Sequence, residues 1–154
     1  ADRKFRFHKY REAEELYLEL YSKNQALEGS ESLLLKIADC HREQKKYEEA
    51  IQSYDKILKD HSRSPVADDA LYEKAVILGC HKKQRAEGLG LLRELLATYP
   101  TSDKGADAQY LIGYLYLTLN ETSRAKEAFN EVISSYPTSP RREWAMKDLE
   151  VMGR

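Results

Sequence analysis

The sequence predicts an all-α protein built from repeated helix pairs, and three observations predict it. A tight turn recurs at a near-fixed period: His61-Ser-Arg-Ser-Pro65, Tyr99-Pro-Thr-Ser-Asp103 and Tyr136-Pro-Thr-Ser-Pro140, starting 38 and 37 residues apart. An alanine follows five residues after each turn, at Ala70, Ala108 and Ala145. No stretch alternates apolar and polar residues as a half-buried strand would. A fixed period of this length means one structural unit copied along the chain.

Each element follows from its apolar spacing. In the first helix, from about His8 to Lys23 after a polar lead-in over residues 1 to 7, Ala13, Leu16, Tyr17, Leu20 and Tyr21 mark the inner face. Asn24 to Ser30 is a break, with Ser30 placed to cap a second helix lined by Leu34, Leu35, Ile37, Ala38 and His41. Lys45-Lys46 is a short turn, and Tyr47 to His61 the third helix, facing inward through Ala50, Ile51, Tyr54, Ile57 and Leu58. Ser64 then Pro65 suits a helix start over Val66 to His81, a hydroxyl accepting a free N–H and Pro at the first helical position. Arg85 to Thr98 carries Leu89, Leu92, Leu95 and Leu96, and its Gly88 and Gly90 imply close helix approach or local loosening. Asp103 to Leu119, Ser123 to Tyr136 and a last helix from Pro140 complete the chain.

Laid over each other, the helices share a register. Small residues fall at Ala38, Ala75 and Gly113 in first helices and at Ala13, Ala50, Gly88 and Ala125 in second helices. Four residues beyond each of the latter stands a large side chain: Tyr17, Tyr54, Leu92 and Phe129. Small residues let helix axes approach, and the large neighbours fill the adjoining space. The second repeat has one extra residue, expected in its turn, because Ala75 and Gly88 are 13 apart rather than 12. It also carries Lys74 where Ile37 and Ile112 stand elsewhere.

Composition bounds the function. The 154 residues carry a formal net charge of −1, which removes the electrostatic basis for nucleic-acid binding. No apolar run is long enough to span a bilayer, so membrane association would need a missing anchor or a partner. Cys40 and Cys80 read as small buried hydrophobes. The adjacent Cys40-His41 and Cys80-His81 lack zinc-ligand spacing, because neighbours on a helix diverge by about 100°. Glu14-Glu15, Glu48-Glu49 and Asp68-Asp69 read as solvated faces or helix-start acids. No acid, base and nucleophile set is positioned, so neither catalysis nor a cofactor is expected.

Tyr47-x-x-Ala50-x-x-x-Tyr54, Ile112-Gly113-x-x-Tyr116, and Ala125-x-x-x-Phe129 with Pro137 resemble the tetratricopeptide repeat family over about residues 8 to 152. The longer period and the Tyr-Pro-Thr-Ser turn look like a bacterial cell-envelope subgroup, the outer-membrane-protein assembly lipoproteins and Tol–Pal-associated periplasmic proteins. The resemblance implies a right-handed superhelix of antiparallel helix pairs, an α-solenoid. It would form a single domain over residues 1–154: an unpaired helix at 8–24, pairs at 30–61, 64–99 and 102–136, and a capping helix at 139–152. An opening on a second-type helix suggests a piece of a longer protein.

In this family the first helices line a concave groove. The resemblance assigns to it Ser32, Leu35, Asp39, Arg42 and Glu43, then Asp69, Tyr72, Val76 and Gly79, then Asp107, Tyr110, Tyr114 and Leu117, with Trp144 in register with Asp69 and Asp107. Tyrosines flanked by acids suit a peptide with basic and apolar residues, since Tyr and Trp give large contact area at small entropic cost. The Lys and Asn of carboxylate-clamp members are absent: Asp39, Val76 and Tyr114 occupy those places, with Leu35, Tyr72 and Tyr110 one turn before. The expected function is a non-catalytic scaffold holding a protein or peptide in that groove, able to oligomerise, in a periplasmic or outer-membrane-associated complex. The alternatives are a cytoplasmic adaptor or assembly factor, which two unpaired cysteines favour, and a docking or regulatory part of a larger enzyme.

Overall fold

The computed structural model describes residues 2–25, 27 and 29–153, with side chains from His8 onward. Among the described residues eight α-helices follow one another: α1 Asp2–Asn24, α2 Ser30–Glu43, α3 Tyr47–Asp60, α4 Ala67–Val76, α5 Arg85–Thr98, α6 Gly105–Thr118, α7 Thr122–Ser135 and α8 Pro140–Gly153. A π-helical segment, Ile77–His81, continues α4. No strand occurs among the described residues. The chain divides into two compact units, Ala1–Ile77 and Leu78–Arg154. In the first, α2 packs on both α1 and α3, and α3 on α4; in the second, α6 packs on α5 and α7, and α8 on α7 and α6.

The small-and-large register forms the core. Ala38, Ala50, Ala75 and Ala125 are fully buried, as are Tyr54, Leu92 and Phe129. Gly113 shows why one position must be small: a Cβ there would lie 2.6 Å from the Phe129 ring. In the second unit a Cβ at Gly79 would stand 2.9 Å from Leu115 and 3.7 Å from the Gly88 backbone, so Gly88 marks a close approach, whereas a Cβ at Gly90 would face open space.

The recurring turn has one geometry in all three copies. Ser64, Ser102 and Ser139 each donate their N–H to the carbonyl three residues earlier, His61, Tyr99 and Tyr136. Each Oγ then accepts the N–H two residues on, from Val66, Lys104 and Arg141 at 3.0–3.3 Å. The serine therefore caps a first turn, and α4 and α6 begin three residues beyond it. Tyr136, which opens the third turn, lies over Gly105, where a Cβ would stand 2.9 Å from its hydroxyl.

Helix ends inside the repeats are just as regular. Lys45 and Asn120 hold left-handed backbone at φ 62 and 60. Lys46 and Glu121 donate to His41 and Tyr116 carbonyls, while Lys45 and Asn120 donate to Arg42 and Leu117. This doubled pattern is a Schellman stop, which favours glycine at the left-handed residue. Lys45→Gly is expected to raise stability by about 1 kcal/mol, net of glycine's greater freedom in the unfolded chain, and Lys45→Val to lower it. Urea titration of both variants checks this.

Several expectations need correction. Residues 2 to 7 belong to α1, since nothing in Asp2-Arg-Lys-Phe-Arg-Phe7 breaks a helix. Ser30 is the first residue of α2 rather than its cap; Gly29, at φ 90, holds that place, and the Ser30 hydroxyl turns back to the Gln25 carbonyl. Leu16 and Leu20 are exposed, while Tyr10, Ala13, Glu14, Tyr17 and Tyr21 carry the covered stripe. Helical neighbours diverge by about 100°, so a stripe packed chiefly on α2 leaves those leucines outside. The extra residue of the second repeat sits within a helix rather than in the turn. The bond that closes the other stops across five residues spans six here, Gln84 to Leu78, and the surplus is taken up as the π-helical segment. Lys74, out of place by pattern, pairs with Asp55 of α3 at 2.6 Å.

Candidate partner-binding face

The first unit's candidate residues are largely engaged with one another. Leu35 belongs to the core cluster with Leu34, Ala38, Tyr54 and Ile57, so it offers little surface. Asp39 accepts the Tyr54 hydroxyl at 3.0 Å, and burial raises its pKa despite that bond. Arg42 lies 3.2 Å from Glu73 on α4 and 3.0 Å from Glu43. Asp69, Tyr72 and Val76 on α4 are half-buried, and Ser32 is exposed. The Arg42–Glu73 pair ties α2 to α4.

Candidates in the second unit gather more tightly. Tyr110 on α6 packs on Phe129 at 5.4 Å between centroids and meets Trp144 of α8 edge-on at 5.8 Å. Its hydroxyl donates to Asp148 at 2.6 Å. Burial, then the Asp148 hydrogen bond and charge, push the Tyr110 hydroxyl up to about 12, so it remains a donor at neutral pH. Arg141 binds Asp107 through its Nε and lies over the Trp144 ring at 4.2 Å and the Tyr110 ring at 5.5 Å. Such stacking holds a cation on an aromatic face without removing its remaining donors. Trp144 and Tyr114 are each about half exposed, at 49% and 46%. Leu117 is half-buried, and Gly79 is buried against Leu115 rather than open to a groove.

Asp103, Ala106, Asp107, Pro140, Arg141 and Trp144 enclose a cleft of about 340 Å³ where α6 and α8 begin. Sequence reasoning missed Arg141 and Asp148, which organise this cluster. Their signal was faint: Arg141 follows the recurring Ser-Pro, and Asp148 is four residues beyond Trp144. Neither spacing by itself names a contact to α6. Among the described residues no helix is long and apolar enough to cross a membrane.

Antiparallel helix pairs ended by recurring Ser-capped turns, with aromatic residues presented on the first helix of a pair, define a helical-repeat protein. Two family models, both described as tetratricopeptide repeat, match residues 1–65 and 107–139, together well over half of the chain. The chain belongs to the tetratricopeptide repeat family. Among solved structures, a tetratricopeptide repeat protein from Parabacteroides merdae is 24% identical with a TM-score of 0.74, over 93% of this chain and 53% of that one. MamA is 22% identical with a TM-score of 0.66, over 88% and 74%, and BtubC from P. vanneervenii 19% identical with 0.71, over 85% and 57%. These likenesses concern the fold. The chain spans about half the length of the first of them. No protein of curated function matches it.

Proposed function

We propose that the protein is a non-catalytic scaffold that holds a protein or peptide partner on the face of its first helices, in a bacterial envelope complex. The family reading supports a protein partner, since its repeats build interaction scaffolds. The observation that carries the site is the Tyr110–Trp144–Arg141 cluster with Tyr114 beside it. Trp144 and Tyr114 are half-exposed, and Trp144 is held between the Tyr110 ring and the Asp107-paired Arg141, so little side-chain entropy is lost when it makes contact. Within the first unit, Asp69, Tyr72 and Val76 of α4 and Asp39 and Arg42 of α2 form a separate candidate contact face. The envelope setting rests on the Tyr-Pro-Thr-Ser turn. A cytoplasmic adaptor is the second reading, supported by Cys40 and Cys80, which are both free thiols.

The test uses Tyr114→Ala with Trp144→Ala, and leaves Tyr110 alone because it packs on Phe129. Capture of the native partner in a pull-down is expected to fall at least tenfold, with helical content by circular dichroism unchanged. Full capture by the folded double variant would place the site elsewhere.

A further inference from the structure

A second surface lies in the second unit on α5, α6 and α7, away from the aromatic cluster. It is a cleft of about 820 Å³ in which Leu96 and Ala97 of α5 offer apolar surface among polar side chains, with Ile112 and Ala128 buried beneath. At one end Arg93 of α5 and Arg124 of α7 converge on the Tyr116 ring, with guanidinium carbons 5.8 and 5.7 Å from its centroid. Arg124 is held by Glu121 at 2.5 Å. Arg93 donates to the Tyr116 hydroxyl, a neutral acceptor that leaves its positive charge uncancelled. Tyr116 is buried, so the ring fixes where both cations sit. Toward the other end stands Glu131, seven residues beyond Arg124 on the same helix and so about 10 Å along its axis. Glu127 lies between Arg124 and Glu131 on the same helix.

We propose that this cleft binds an extended protein segment carrying a carboxylate, then apolar residues, then a cation. The acidic residue pairs with Arg93 and Arg124, the apolar residues cover Leu96 and Ala97, and the Lys or Arg meets Glu131. At roughly 3.3 Å per residue, the 10 Å between the two ends spans three steps of an extended chain. The two charges therefore stand at positions i and i+3 of the segment. Bidentate contact from guanidinium to carboxylate supplies direction as well as attraction.

Selection from a random twelve-residue peptide display library tests this, with wild type, Arg93→Ser/Arg124→Ser and Tyr114→Ala/Trp144→Ala as separate targets. Among wild-type binders, a class with Asp or Glu followed three positions later by Lys or Arg is expected. That class should be lost, at least tenfold in recovery, on the arginine variant and kept on the aromatic variant. Circular dichroism confirms that the arginine variant is folded. Absence of the class, or its survival on the folded arginine variant, overturns the proposal. Loss on the aromatic variant alone overturns it too, by assigning the peptides to the other face.

Discussion

Gly113→Ala lowers stability by about 2 kcal/mol in a denaturant titration, and the melting temperature by roughly 4–8 °C. The two contributions have opposite signs. Alanine in place of glycine inside a helix gains about 1 kcal/mol through backbone entropy and propensity. The new methyl, however, would lie 2.6 and 2.7 Å from Phe129 Cε1 and Cδ1, a distance no packed carbon pair holds. Phe129 cannot swing away, because it is fully buried and packs on Tyr110. Displacing it costs overpacking strain of about 3 kcal/mol, so strain outweighs propensity. Gly90→Ala isolates the propensity effect: its added methyl meets nothing within 4 Å, and stability should rise by about 1 kcal/mol. Phe129→Leu should recover part of the Gly113→Ala loss in a double-mutant cycle, since the two sites touch. A neutral Gly113→Ala would mean that α6 and α7 are not closely apposed there.

That contrast shows what a repeat register can and cannot reveal. Gly113 and Gly90 are chemically identical, and only alignment with Ala38 and Ala75 marks the first as obligatory. The register found the core because close helix crossings demand small residues at one spacing, copied in each unit. It missed what is not copied. Glu14 stands at a place that apolar periodicity ignores, and Leu16 and Leu20 fit the period yet lie outside the covered stripe. A count of 13 against 12 announced an inserted residue, but helix and turn absorb such an insertion with the same sequence length. At the candidate face, Tyr110, Asp107 and Trp144 were legible by register, whereas Arg141 and Asp148 join them through contacts between α6 and α8. Their partners lie 34 and 38 residues away, and no local pattern encodes such pairs.

Removal of Glu14 should loosen α1 from the rest of the first unit. This carboxylate is nearly buried and gathers three side chains from the end of α2 and the turn beyond it. His41 Nε2 lies 3.0 Å from one oxygen, Gln44 Nε2 donates to the other at 2.5 Å, and Lys46 reaches both at 3.0–3.2 Å. Burial alone would raise the Glu14 pKa, but the Gln44 and Lys46 hydrogen bonds and the charges of His41 and Lys46 outweigh it, holding it below its ordinary value of 4.5. Glu14→Ala leaves the buried Gln44 amide without that acceptor, and about 2–3 kcal/mol of stability should be lost. Lys46, more than a third exposed, regains water and limits the damage. The pH dependence follows from the lowered pKa. The unfolded chain binds a proton at Glu14 more readily, so its contribution is complete above about pH 4.5 and is lost as pH falls through the folded value. Asp39, with its pKa raised by burial, acts in the opposite sense and must be subtracted. The difference in unfolding free energy between wild type and Glu14→Gln does this, and it should shrink steadily below pH 4.5. Hydrogen exchange at pH 7 provides a local check, with amides of α1 losing protection in Glu14→Ala while those of α6 and α7 keep theirs. A difference that stays level down to pH 3 would show that Glu14 contributes by shape and not by charge.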